Sequence, residues 1–334
     1  MERPALDTPW QLAHLTVPNR VLLAPLAGIG NWCVRLQAKR YGAGMAVSEM
    51  VSSFAIHHGN DKTCVEMLRL HPEERATGPV AFQLFGQDPD VMRSAAAHVR
   101  AHTDADVIDL NMGCPVPKVA KTGAGAAMLK DPDTAVAVAR AAGEGSGLPV
   151  TVKLRSGLVP GDVTSGYDLA HRLVAEAGVA AIAFHPRSAQ VQHKGTPDYA
   201  LAARLVESLP APVILTGGLH TADDVARAYE LTGAAAVMLA RGALGNPWLF
   251  EEVLGRRPVG PPATDEVLAE LDWLMDRTVE HLGAVRAGRF LRKFYPWYVD
   301  RLGGGKSLQS ALQQTDDVEA ARAVLGALRP AAMA

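Results

Sequence analysis

A (β/α)8 TIM barrel followed by a C-terminal helical domain is the architecture the sequence predicts. Three observations carry it: eight short apolar runs rich in β-branched residues, Ala-rich helical stretches between them, and polar or glycine residues just past the runs. The runs are residues 21–24, 45–48, 80–84, 107–110, 150–154, 180–184, 212–215 and 235–239. A doubly wound sheet usually carries about five or six strands, so eight favour a closed barrel. Helical patterns fill 88–100, 131–142, 167–177, 199–209 and 221–231. Asp88-Pro89 and Thr221 read as helix starts, because a short polar side chain accepts an orphan N–H and proline fits the first turn.

With 334 residues the chain exceeds one barrel of about 250, leaving an appendage. The stretch 257–263, Arg-Pro-Val-Gly-Pro-Pro-Ala, cannot be helical and marks the boundary. It divides a catalytic domain, 1–256, from a helical domain, 257–334. Helices are expected at 265–282, 285–298 and 318–328, too few residues for a second catalytic unit and enough for a docking module or a cap.

Hydrophobic residues make up 48% and the formal charge is -2, which excludes a disordered chain. There is no apolar stretch of about 20 residues, and the start lacks a basic then apolar leader, so a cytoplasmic protein is expected. Cys33, Cys64 and Cys114 are too scattered for a disulfide framework or a zinc site, and no HExxH or Walker-type stretch occurs; no metal is expected. Between Arg277 and Lys306 the chain turns basic: Arg277, Arg286, Arg289, Arg292, Lys293, Arg301 and Lys306 face only Glu280 and Asp300. Such a run is either a solvated helical face or a patch for a polyanion, since clustered cations release counterions from phosphates.

Chemistry in a barrel sits at the C-terminal ends of its strands. Pro25, Leu26, Ala27 and Gly28 follow the first run, Gln83 lies in the third, and Asn111 and Cys114 follow the fourth. Lys153 and Arg155 lie at the fifth, His185 and Arg187 at the sixth, Gly217 and Gly218 at the seventh, and Arg241 and Gly242 at the eighth. A Gly-Cys-Pro turn at a barrel mouth is a poor place to hide an inert thiol, so Cys114 is the candidate reactive group; Cys33 and Cys64 read as packing. Lys153 on an alternating strand is costly as core filling and suits a developing anion. His185 gains its functional reading from its place beside Arg187. Glycines after strands seven and eight, ahead of helix starts, make a phosphate site. Phosphate, lysine and thiol around one mouth suggest a mononucleotide such as FMN, although a sugar phosphate would satisfy the same glycines.

Further elements sharpen this reading: Ala24 to Gly28, Ser48-Glu49-Met50, Gln83-Leu84-Phe85-Gly86, and Asp109-Leu110-Asn111-Met112-Gly113-Cys114-Pro115 with Lys118, Lys121, Gly123, Gly125 and Ala126. Val152-Lys153-Leu154-Arg155, Arg241-Gly242-Ala243, Asn246-Pro247-Trp248, Arg292-Lys293 and Trp297-Tyr298 continue it. Together they resemble the flavin-dependent tRNA-dihydrouridine synthases, most of all the bacterial B-type branch, over roughly residues 10–300. The Asn-Met-Gly-Cys-Pro element is the specific one; the rest occurs more loosely in other FMN barrels.

The resemblance implies that NADPH reduces FMN and that the flavin then passes hydride to C6 of a uracil in the tRNA D-loop, while Cys114 delivers a proton to C5. Lys153, His185 and Gln83 would hold the isoalloxazine, Pro25 to Gly28 would back it, and Gly217, Gly218, Arg241 and Gly242 would hold its phosphate. Asn111 and Arg155 suit either ring edge, flavin or uracil, and Arg187, Arg292 and Lys293 are expected on the substrate side. The uracil must be flipped out, with the basic run receiving the RNA backbone. A monomer without membrane or DNA partner is expected. Against the family's usual pattern, Pro186 replaces a glycine, Thr216-Gly217-Gly218 replaces Asn-Gly-Asp, and Phe294 replaces a histidine. The competing reading is an FMN barrel that reduces a small molecule such as a free pyrimidine, its basic tail serving only as a cap.

Overall fold

The computed structural model describes residues 3–328; the outermost ends of the two expected domains, 1–2 and 329–334, lie outside the described residues. An antiparallel hairpin, β1 (Trp10–Leu12) and β2 (Leu15–Val17), comes first. Then follow β3 (Val21–Leu23), β4 (Met45–Val47), the two-residue β5 (Val51–Ser52), β6 (Val80–Phe85), β7 (Val107–Met112), β8 (Val150–Arg155), β9 (Ala181–His185), β10 (Val213–Thr216) and β11 (Ala236–Leu239). All pairings among β3 to β11 are parallel, and β3 pairs with both β4 and β11 while β4 pairs with β6, so eight strands close a ring. β5 extends the sheet only at the end of β6. Every expected barrel strand is present within a residue or two of its expected bounds.

Period-two alternation sorts the strand side chains. Val21, Leu23, Phe82, Leu84, Ile108, Leu110, Val152, Leu154, Ile182 and Phe184 join the cluster between sheet and helices. Leu22, Met45, Val47, Ala81, Val107, Ala181, Ala183, Ile214, Ala236 and Met238 point inward. Four of these ten are alanines, too small to fill the barrel, and the hairpin makes up the volume: Trp10, Leu12 and Val17 join the inner cluster. The Trp10 indole N–H donates to Asn19 O at 3.1 Å. The hairpin thus packs against the barrel interior from the N-terminal ends of the strands.

The helix starts follow the capping logic. Asp88 accepts from the N–H groups of Asp90 and Val91, with Pro89 opening helix Pro89–His102, and Thr221 forms a capping box with Asp224 before Ala222–Thr232. After 257–263 come helices Thr264–Leu282, Ala284–Leu291, Tyr295–Arg301, Gly305–Gln313 and Val318–Gly326. The single helix expected over 285–298 is therefore two. Pro296 has no N–H and is tolerated only in a first turn, so the chain restarts at Tyr295. Helix Gly305–Gln313, which opens on the last of three consecutive glycines, was not expected. This segment packs on the barrel helix Trp32–Arg40: the buried Glu270 accepts from Gln37 Nε2 at 2.8 Å and from the Tyr41 hydroxyl at 2.7 Å. Cys33 is buried there, its thiol donating to Arg277 O at 3.2 Å, and burial pushes that thiol far up.

Candidate active site

The C-terminal strand ends surround one cavity of about 400 Å3. Pro25, Leu26, Ala27, Gln83, Asn111, Cys114, Lys153, Arg155, His185, Arg187, Gly217, Gly218 and Arg241 all line it. Registry explains the gathering: Gln83, Asp109 and Thr151 lie side by side across β6, β7 and β8, Asn111 pairs with Lys153, and Arg155 pairs with His185.

Four expected residues stand elsewhere. Gly28 and Lys293 meet at a second cavity of about 460 Å3 between the mouth and the helical segment, where Lys293 Nζ donates to Gly28 O at 2.8 Å. Gly242 packs behind the lining, where an added Cβ would stand 2.5 Å from Leu219 O. Arg292 turns into the helical segment and donates through Nη2 to Thr315 O at 2.7 Å.

Cys114 is a partly exposed free thiol held by its neighbours' backbone bonds. The side-chain oxygen of Asn111 accepts from the N–H of Gly113 at 3.2 Å and of Cys114 at 2.9 Å. From below, Ala126 N–H donates to Cys114 O at 3.0 Å. That approach requires glycine at 125, where φ is +65° and a Cβ would lie 2.6 Å from the same carbonyl. Arg155, 3% exposed, spends its guanidinium on backbone: Nε donates to Gly113 O at 2.8 Å, and Nη1 to Ser188 O at 3.1 Å and Gln192 O at 2.8 Å. It thus ties the thiol loop to the loop after β9.

Arg187 acts similarly, donating to Gly195 O at 2.6 Å through Nη2 while Nη1 lies 3.2 Å from His185 Nε2. A guanidinium can only donate, so Nε2 accepts and the imidazole proton sits on Nδ1. Burial, then Lys153, Arg155 and Arg187, push His185 far down, and burial with Arg241 pulls the missed lining residue His193 to about 4. Both imidazoles are neutral at neutral pH. Burial and Arg155 lower Lys153 to about 8, with Asp109 and Cys114 pulling the other way, so it remains largely cationic at pH 7. The mouth therefore presents Lys153 and Arg241 as cations to an anionic ligand.

Beside them Gly217, at φ +101°, brings its backbone so close to His185 that a Cβ would stand 2.4 Å from Cδ2. The Tyr199 hydroxyl donates to Gly217 O at 3.1 Å, and Thr216 donates to Met238 O at 3.0 Å. A bare backbone bend flanked by cations, next to a long polar-edged slot, fits the phosphate and ring of a mononucleotide.

Asp109, buried beneath Gln83, is a polar group of the site that the sequence does not single out by itself; its inward place in the alternation Val107, Asp109, Asn111 is the available signal. His193 and His220 line the cavity from loops that carry no such pattern.

The family described as Dihydrouridine synthase (Dus) matches residues 22–332. The chain belongs to this family. Among its relatives is tRNA-dihydrouridine synthase B of Xanthomonas campestris pv. campestris, 34% identical over 300 residues, 86% of each chain. The corresponding B-type protein of Shewanella oneidensis is 32% identical, over 87% of this chain and 89% of its own. A probable tRNA-dihydrouridine synthase of Mycobacterium tuberculosis is 33% identical, over 90% of this chain and 80% of its own. The likeness is thus to the bacterial B-type proteins, and the chain is an enzyme. Morphinone reductase in complex with tetrahydroNAD overlays 78% of this chain and 93% of its own with a TM-score of 0.55 at 18% identity, a likeness of fold. No helix among the described residues is long and apolar enough to cross a membrane.

Proposed function

We propose that the enzyme reduces a uridine of the tRNA D-loop to 5,6-dihydrouridine, with FMN as cofactor and NADPH as reductant. The supporting observation is the meeting of a partly exposed thiol, a lysine and a glycine-and-arginine cradle around one cavity in a chain of this family. Lys153, Gln83 and His185 would hold the flavin ring, Pro25 to Ala27 would back it, and Gly217, Gly218 and Arg241 would take its phosphate. Bound there, FMN supplies the hydride that a uracil C6 receives.

The chain's own part is protonic and positional. Adding hydride at C6 leaves charge at C5 and its carbonyl, and Cys114 holds the proton that quenches it. Asn111 and Arg155 keep that thiol in place, and we read Arg155 as a positioning residue, because three backbone carbonyls occupy it. We read 257–334 as the segment that would receive the RNA, with Lys293 at the junction of its helices with the mouth.

Anaerobic enzyme reduced by NADPH, mixed with tRNA lacking dihydrouridine, tests the reading through flavin absorbance. Reoxidation with dihydrouridine appearing in the RNA is expected. Flavin that stays reduced with tRNA but reoxidises with a free pyrimidine would favour the small-molecule reading. Cys114→Ala should leave reduction by NADPH near wild type and slow the tRNA step by about a hundredfold or more, since only that step needs the acid. Equal loss in both steps would remove Cys114 from the role.

A further inference from the structure

Asp109 is 1% exposed on β7 and takes its side-chain hydrogen bonds from neutral groups, Gln83 Nε2 and Thr151 Oγ1, each at 2.6 Å. Burial raises its carboxyl to about 6, against the pull of those two bonds and of Lys153, so at neutral pH it is mainly ionised and can only accept. Gln83 must therefore turn its amide nitrogen to Asp109 and its oxygen to Asn111, whose Nδ2 donates to that oxygen at 3.0 Å. Asn111 is left with its own oxygen free for the N–H groups of Gly113 and Cys114. Reversing the Gln83 amide would set its oxygen against the carboxylate and its NH2 against that of Asn111. One carboxylate thus dictates the direction of every amide up to the thiol loop.

We propose that Asp109 is a positioning residue that, through Gln83 and Asn111, fixes the Cys114 loop and leaves the second Gln83 amide proton as a donor for a ligand acceptor in the cavity. What Cys114 does there rests on the function proposed above; the directional relay does not.

Two variants of the full-length, flavin-loaded enzyme separate this from mere packing. Asp109→Asn keeps an acceptor for Gln83 and offers its NH2 to the Thr151 hydroxyl, so the relay survives. Asp109→Leu fills similar space but directs nothing. Loss of one buried directing bond predicts that Asp109→Leu slows reoxidation by tRNA about tenfold or more and slows NADPH reduction by clearly less, through the released Gln83, while both Asp109→Asn rates stay within about threefold of wild type. Wild-type reoxidation in Asp109→Leu, equal slowing of both half-reactions, or failure of Asn to rescue would overturn the proposal. If Asp109→Leu does not fold, Asp109→Ala is read by the same criteria.

A second readout needs no RNA. Iodoacetamide labelling of Cys114, followed by peptide mass, should be several-fold faster in Asp109→Leu than in wild type or Asp109→Asn, with Cys64 labelling unchanged. If wild-type flavin ignores tRNA, the proposed function fails and this labelling alone decides the relay; an unchanged rate at Cys114 would sink it.

Discussion

Lys153 sits where a cation is costly, and the cost has a measurable pH signature. Its folded pKa, about 8, lies below the ordinary 10.5 because burial and Arg155 disfavour the ammonium. Between those two values the unfolded chain binds more protons than the folded one, so this group's contribution to stability rises with pH across that window. Below pH 8 the full cost of burial stands, and a bound anionic cofactor would offset it. Lys153→Met should therefore raise the thermal midpoint of the flavin-free protein at pH 7 by roughly 2 °C or more while weakening FMN binding. The midpoint advantage should shrink as pH is raised from 8 toward 10. A midpoint at or below wild type at pH 7 would mean that the ammonium is better satisfied than its surroundings indicate.

At the scale of elements, the loop after β10 carries the sharpest constraint. Gly217→Ala would force a side chain onto a φ of +101° and into the His185 ring, 2.4 Å away. Strained backbone of this kind costs about 1–3 kcal/mol, so FMN affinity, read by quenching of flavin fluorescence, should fall about tenfold or more. An affinity unchanged by the substitution would place the cofactor's grip elsewhere. This glycine was legible from sequence because it ends a β-branched run at a barrel mouth, as were the eight strands, whose outward residues repeat every second position. The β1/β2 hairpin was not, because each strand has only three residues and the turn uses Ala13 at φ 51° where Gly or Asn would signal it. Nor was the role of Arg155: sequence placed it at the mouth, but only the fold shows the carbonyls of Gly113, Ser188 and Gln192 converging on it.

Taken as a whole molecule, the basic run beyond the barrel is thinner than its sequence. Arg277 pairs with Glu280 at 2.8 Å and Arg286 with Glu66 at 2.6 Å, while Arg301 is only partly exposed and burial lowers it. Arg292 holds Thr315 O and lies 3.8 Å from Asp316, so its charge serves the helical segment's own packing. Arg289 and Lys293 are exposed beside the second cavity, next to the mouth where an RNA strand would cross. Removing a cation that pairs with one phosphate should lower the slope of log affinity against log salt by about one. Arg289→Glu should thus weaken tRNA binding and flatten its salt dependence without moving the thermal midpoint or FMN content. Arg292→Glu should weaken binding too, but with a lowered midpoint, because Thr315 O loses its donor. Titrations at several salt concentrations, run beside thermal melts, separate the two. If Arg289→Glu left both affinity and slope unchanged, the RNA would have to approach from another side of the mouth, and the helical segment would be a cap on the barrel.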